Sequence, residues 1–279
     1  MVGQTNSSGH FMAINFACGK FWDCPIKIYD SCAVVYNNEI HILGGNNSQT
    51  AHYKWTYAGW VKLPDLPYQF FGGDAVVFNN EIHILGGCIQ GTNHYKWNGT
   101  TWTKASTLPY SLSYGKAVVH SEGIHLIGGT KVGTDTSCPR NHYKWNGTTW
   151  NKVGTLIRST YGCGVLHTAA NMIGLYGGSN YPTQACYFDG TWHDASASLT
   201  VGFAYGGFVN YNDEARFIGG VVSPSTYISR TNGTVAKTIR LPYDFSHGCA
   251  VVYQGYIHIF GGTNDMAAHG LVDALVHLQ

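Results

Sequence analysis

One motif recurs along this chain at a nearly fixed interval, and it constrains the fold more than any other feature. AVVYNNEIHILGG at 33–45 returns as AVVFNNEIHILGG at 75–87, a single substitution away. It returns again as AVVHSEGIHLIGG at 117–129 and AVVYQGYIHIFGG at 250–262. Two divergent copies, GVLHTAANMIGLYGG at 164–178 and FVNYNDEARFIGG at 208–220, fill the interval between them. The glycine pairs therefore begin at 44, 86, 128, 177, 219 and 261, at spacings of 42, 42, 49, 42 and 42. A period of this length marks a repeated supersecondary unit that buries its apolar faces only against its neighbours.

Each unit reads as four short strands. AVVYNNEIHIL is an apolar strand, a two-residue turn at Asn37 and Asn38, and an alternating strand. HYKW follows at 52–55, 94–97 and 142–145, and the latter two continue as HYKWNGTTW, a second hairpin with an Asn-Gly turn. The fourth copy weakens to CYFDGTW at 186–192, and the fifth, YISRTNGTV at 227–235, loses its Trp. A Leu-Pro-Tyr or its relic comes next, at Leu66, Leu108, Leu156, Leu199 and Leu241. Small antiparallel sheets of this kind, arranged radially, cover one another's faces and leave only short edges. The expected class is all-β.

Composition narrows the function. Charged residues make up 11% of the chain, with a net charge of +1, so no clustered basic surface for nucleic acid is expected. At 44% apolar and 14% aromatic residues the chain can bury a core. No stretch approaches the ~18 apolar residues of a membrane helix. The start, MVGQTNSSGHFMAINF, has no basic segment followed by an apolar run, so no secretory signal is expected and the location stays open. The eight cysteines are irregularly spaced and form no Cys-x-x-Cys.

The glycine pair after an aliphatic strand, the third-strand Tyr53, Tyr95, Tyr143 and Tyr187, and the fourth-strand Trp60, Trp102, Trp150 and Trp192 resemble the kelch-repeat β-propellers, over essentially the whole chain. The resemblance implies one domain spanning 1–279, a propeller of six four-stranded blades. Such rings usually close on a blade shared by both chain ends. Here NFACGKFW at 15–22 aligns with YKWNGTTW, so 11–28 would supply outer strands to the blade whose inner strands are 247–262. His269 falls seven residues after Gly262, as His52 does after Gly45, so the C-terminal segment could instead give the third strand.

His41, His83, His125 and His258 share one slot, and His52, His94 and His142 share another. Equivalent slots lie on different blades, whereas zinc needs its ligands about 2 Å from one point. These residues are therefore read as packing and hydrogen-bonding groups, and no metal or cofactor is expected. Cys32, Cys163 and Cys249 are placed in one first-strand slot near the axis, beside Asp74, Lys116 and Gly207 of the other copies, as small buried thiols. No Gly-x-Ser-x-Gly, His-Glu-x-x-His or phosphate-cradling motif appears. Asn98, Asn146 and Asn232 stand in Asn-Gly-Thr acceptor patterns but are read first as turn residues. The 130–141 loop is six residues longer than its counterparts.

The segment entering each first strand is where the repeats disagree. One slot reads Asp30, Gly72, Tyr114, Tyr161, Tyr205 and His247, and the preceding slot reads Tyr29, Phe71, Ser113, Thr160, Ala204 and Ser246. By the resemblance these loops, and Asn46, Cys88, Thr130, Ser179, Val221 and Thr263 after the glycine pairs, form the axial ligand face. A mouth carrying Tyr29, Asp30, Phe71, Tyr114, Tyr161, Tyr205 and His247 offers flat amphipathic surfaces. The slots lack the Arg with which kelch adaptors hold acidic peptides. The reading is a monomeric, non-catalytic recognition module for a neutral protein or carbohydrate ligand. The rivals are a sugar-acting enzyme such as a mutarotase in the same axial pocket, and a purely structural module of a larger surface or virion assembly.

Overall fold

The computed structural model describes residues 24–56, 58–130, 138–168, 170–196, 198–212, 214–222, 226–231, 234–240, 244–262 and 269–272. Among them every regular element is a β-strand, and no helix is long and apolar enough to cross a membrane. Alternation and the turn residues set the strands. The first sheet runs β1 (Cys32–Tyr36), β2 (Glu39–Leu43), β3 (His52–Thr56) and β4 (Gly59–Lys62), in that spatial order. The second is β5 (Asp74–Phe78), β6 (Glu81–Leu85), β7 (Asn93–Trp97) and β8 (Trp102–Thr107); the third is β9 (Lys116–His120), β10 (Gly123–Ile127), β11 (Asn141–Trp145) and β12 (Trp150–Thr155). The fourth comprises β13 (Gly164–His167), β14 (Ile173–Tyr176), β15 (Ala185–Phe188) and β16 (Trp192–Asp194). The fifth comprises β17 (Gly207–Tyr211), β18 (Glu214–Ile218), β19 (Thr226–Thr231) and β20 (Thr234–Arg240). A three-stranded sheet of β21 (Cys249–Tyr253), β22 (Tyr256–Phe260) and β23 (His269–Val272) completes the set.

Every described pairing is antiparallel between sequence neighbours, so each sheet is an up-and-down meander. The first strands touch in succession: β1 on β5, β5 on β9, β9 on β13, β13 on β17, β17 on β21, and β21 back on β1. This is a propeller arrangement with the first strands innermost. In the three-stranded sheet the C-terminal segment supplies the third strand, since Phe260 pairs with His269 and Ile257 with Val272. Of the proposed outer strands at 11–28, residues 11–23 lie outside the described residues, and 24–28 form no strand.

Core sits at each joint between sheets. Val34, Tyr36 and Leu43 of the first sheet pack with Ile82, Ile84 and Trp97 of the second, and Ile40, Ile42 and Trp55 pack with Val251, Tyr253 and Phe260 across the closing joint. Comparable clusters lie at the other joints. Buried apolar area at these joints is the main stabilising term of such rings.

The two histidine slots meet. His41 Nδ1 lies 2.9 Å from His52 Nε2, His83 Nδ1 lies 2.8 Å from His94 Nε2, and His125 Nδ1 lies 2.7 Å from His142 Nε2. Each third-strand partner then projects edge-on into aromatic rings of the next sheet, as His52 does with Trp97 and Trp102, His94 with Trp145 and Trp150, and His142 with Phe188 and Trp192. A bulge at His94/Tyr95 brings Ser106 opposite His94, and the Ser106 Oγ accepts the Trp150 indole N–H at 3.0 Å. Among the described residues no group of three or more His, Cys, Asp or Glu could hold a metal ion.

The Asn-Gly hairpins differ in detail from a two-residue turn. Trp97 pairs with Trp102, so four residues form the loop, and the Asn98 Oδ1 accepts the amides of Thr100 and Thr101, both at 2.9 Å. The side-chain bonds take over part of the turn, and only Gly99 (φ 103°) needs a positive φ. Asn232 lies outside the described residues.

Candidate functional site

The segments entering the first strands are tied together by backbone. The Asp30 N–H donates to His247 O at 2.8 Å, Gly72 to Asp30 at 2.9 Å, Tyr114 to Gly72 at 2.6 Å, Gly162 to Tyr114 at 2.7 Å, Tyr205 to Gly162 at 2.8 Å, and His247 to Tyr205 at 2.7 Å. The six bonds form a closed circle around one end of the axis. All six residues share a left-handed backbone, with φ of 56° at Asp30, 61° at Gly72, 52° at Tyr114, 63° at Gly162, 56° at Tyr205 and 59° at His247. For the four non-glycine members this conformation costs about 1–2 kcal/mol each, which the closed circle holds in place. The other described non-glycine residues with positive φ sit in hairpin turns, whereas strain held in a ring of variable side chains points to function there.

The circle corrects the alignment of the fourth repeat. Gly162, not Tyr161, occupies the ring position, because the first hairpin of that sheet is one residue longer: Gly164 pairs with Tyr176, where Cys32 pairs with Leu43. Tyr161 stands in the preceding slot, with Tyr29 and Phe71. The same shift places Gly164 rather than Cys163 in the axial first-strand slot beside Cys32 and Cys249.

The side chains on the circle form a continuous aromatic run. The rings of Tyr29 and His247 stack with centroids 4.8 Å apart and planes 8° apart, and Tyr205 stacks on the other side of His247 at 4.8 Å and 20°. Tyr205 then meets Tyr114 edge-on at 5.2 Å and Tyr161 at 6.0 Å. All are half-buried, as is Phe71, which no described ring contact joins to the run. The Tyr114 hydroxyl donates to the Asp30 Oδ2 at 2.9 Å. Burial raises the Asp30 carboxyl above its ordinary pKa, opposed by His247, the Tyr114 hydroxyl and Lys116. Burial likewise lowers the His247 imidazole, opposed by the Asp30 charge. Both shifts favour the neutral forms. Asp30→Asn should therefore lower the His247 pKa further, because it removes the one anion that favours the imidazolium. An NMR titration of the imidazole checks this, and an unchanged or raised value would contradict the pairing.

Beneath the circle lies a cavity of about 60 Å³, and next to it an axial chamber of about 180 Å³. The chamber holds one ion pair. Lys116 Nζ lies 3.5 Å from Asp74 Oδ1, while Asp74 Oδ2 accepts the Ala117 amide at 2.7 Å. Burial works to lower the Lys116 ammonium, but Asp74 and the thiols of Cys32 and Cys163 outweigh it and the pKa rises. Burial pushes the Cys163 thiol up to about 11, and it pushes Cys32 higher still. These cysteines are therefore protonated and unreactive at neutral pH.

The loops after the glycine pairs lie on the same face. Asn46 N–H donates to Tyr29 O, Cys88 to Phe71, Thr130 to Ser113, Ser179 to Tyr161 and Val221 to Ala204, each within 3.0 Å. Of the proposed face residues, Thr263 lies outside the described residues. Just beyond them stand Ile89, Tyr181 and Val222, which with Val221 make four of the six exposed large apolar side chains among the described residues. Of this apolar rim the sequence reading named only Val221, although the other three follow within three residues of a glycine pair. Residues 131–137 of the long loop also lie outside the described residues.

No family model matches the chain, and no curated protein matches it. Among solved structures it is similar to YjhT, with a TM-score of 0.77 and 16% identity over 91% of this chain and 96% of that one. At that identity the likeness shows the propeller fold.

Proposed function

We propose that the chain is a single-domain, six-bladed propeller of the kelch type, and that its ring face recognises a neutral carbohydrate without catalysing a reaction. The observation that carries this reading is the run Tyr29, His247, Tyr205 and Tyr114 around Asp30. Aromatic faces with a few hydrogen-bonding groups among them match the alternating C–H and hydroxyl surfaces of a sugar. Cavities of about 60 and 180 Å³ are smaller than the ~300 Å³ at which ligand pockets begin. That favours a ligand lying across the rim over a substrate enclosed on the axis. Small neutral residues behind the rim, Asn46, Thr130 and Ser179, give no basis for selecting a charged ligand.

A second reading is favoured by Ile89, Tyr181, Val221 and Val222: an uncharged protein surface seated on the same face. An array carrying both neutral and acidic glycans separates the two. The carbohydrate reading expects the native protein to retain at least one neutral glycan. Replacing Tyr114 and Tyr205 together with Ala should then weaken retention by roughly tenfold or more. Ala at these positions carries the same left-handed backbone as Tyr, so the circle itself is not further strained. Retention that survives the double substitution would refute the site, and retention of acidic glycans alone would refute the neutral ligand.

A further inference from the structure

The last residue of each first strand lies at the end of the axis opposite the hydrogen-bonded circle. In five sheets it is a buried ring: Tyr36, Phe78, His120, Tyr211 and Tyr253. These rings reach into the joint with the next sheet. The Tyr211 hydroxyl donates to Gly255 O and the Tyr253 hydroxyl to Asn38 O, both at 2.9 Å, and the His120 Nε2 lies 3.0 Å from Asn171 O. Each acceptor belongs to the first hairpin turn of the following sheet. The fourth sheet breaks the pattern. Counted from the aligned first-strand position Gly164, the equivalent residue is Thr168, half-buried and too short to cross the joint. Its hydroxyl is spent locally, accepting the Met172 amide at 3.2 Å.

The joint keeps its core, with Leu166, Phe203 and Phe217 packed in it, but its end away from the circle is not filled. A pocket of about 500 Å³ opens there and reaches the third sheet, walled by Val118, Val165 and Phe208 and rimmed by His167, Thr168, Asn171 and Asn210. This is the largest of the three cavities, and its size falls in the usual range for small-molecule sites. We propose that this joint is a binding site for a small neutral phenol, which takes the place that a tyrosine ring occupies at the equivalent joints. The ring would lie against Val165, Phe208 and Val209, and the hydroxyl would meet the side-chain amides of Asn171 and Asn210, which also bond the His167 Nε2 and carbonyl, each at 3.2 Å.

The probe is p-cresol, the side chain of tyrosine as a free molecule. Titrated into the isotope-labelled protein, it should shift resonances of Val165, Phe208 and Val209, with a dissociation constant on the order of 1 mM, as suits eight heavy atoms. Thr168→Tyr should supply the missing ring from the chain itself, abolishing these shifts and raising the thermal midpoint by a few degrees. Thr168→Val keeps the pocket open and should bind p-cresol as the native protein does. The proposal fails if p-cresol shifts none of the three wall residues, or shifts only the aromatic circle at the other end. It also fails if folded Thr168→Tyr binds as the native protein does. Should Thr168→Tyr not fold, the map of shifts in the native protein and in Thr168→Val decides the matter.

Discussion

Acidification from neutral pH should unfold this protein in one steep step centred around pH 5, with several protons taken up as it opens. The cause is the set of buried histidines. Burial holds His41, His83, His125 and His258 down at about 4, and His52, His94 and His142 at about 3. In the unfolded chain each returns to about 6.5. Below that value the unfolded state binds protons that the folded state refuses, so stability is complete above about pH 6.5 and falls as pH drops toward 4. Each group contributes about 1.4 kcal/mol per pH unit inside that window. Seven together reach roughly 10 kcal/mol per unit, comparable with the whole stability of an ordinary domain.

The surroundings of the pairs do not rescue the charged forms. Glu39 favours His41 protonation but Lys54 opposes it; Glu81 and Lys96 do the same around His83, and His120 and Lys144 both oppose it at His125. His52 and His94 face the imidazoles of His41 and His83, which oppose their protonation, and the tryptophan edges of the next sheet. Circular-dichroism melts across pH test this: the midpoint should be flat above about pH 7 and collapse below about pH 6. Replacing both His83 and His94 with apolar residues should lower the proton uptake by about two. A midpoint that stays level down to about pH 4.5 would contradict the assignment of these pairs as neutral in the folded state.

Gly44→Ala should be the most damaging conservative substitution, costing about 3 kcal/mol or more. Gly44 has a φ of 61°, and a Cβ there would overlap the carbonyl oxygen of Phe70. That carbonyl accepts the Gly45 amide at 2.8 Å, so it cannot retreat without losing the bond that anchors the loop. Gly255 gives the control. Its φ is 78°, but a Cβ there meets nothing within 4 Å, so Gly255→Ala should cost only the ~1 kcal/mol of the backbone conformation. Denaturant unfolding of the two variants reads the difference directly. Equal losses would mean that the glycine pair serves backbone freedom alone and not close packing.

Much of the architecture was legible because it is local and periodic. Hairpins such as Cys32–Tyr36 with Glu39–Leu43 follow from alternation and turn residues within a dozen positions, and the repeat multiplies that signal. The fourth repeat was misaligned by one residue at its entry for an equally local reason. Placing Tyr161 in the slot allows that repeat two extra residues before Gly177, whereas its hairpin from Gly164 to Tyr176 carries one. The hydrogen-bonded circle was not legible, since each of its bonds joins residues in different repeats. One signal did exist: glycine at 72 and 162 marks a position that needs a left-handed backbone, and the ring position is Gly162 rather than Tyr161. The vacancy at Thr168 was also present in the sequence, hidden by the same one-residue offset.

In the proposed reading the hydrogen-bonded circle, with the side chains it carries, is the surface that recognises a neutral ligand. Amide chemical-shift mapping with a neutral glycan retained on the array tests it most directly. Shifts should concentrate at Asp30, Gly72, Tyr114, Gly162, Tyr205 and His247 and in the adjoining loops at Asn46, Cys88 and Ser179. Shifts confined to the outer strands, or to the Thr168 end of the axis, would contradict it.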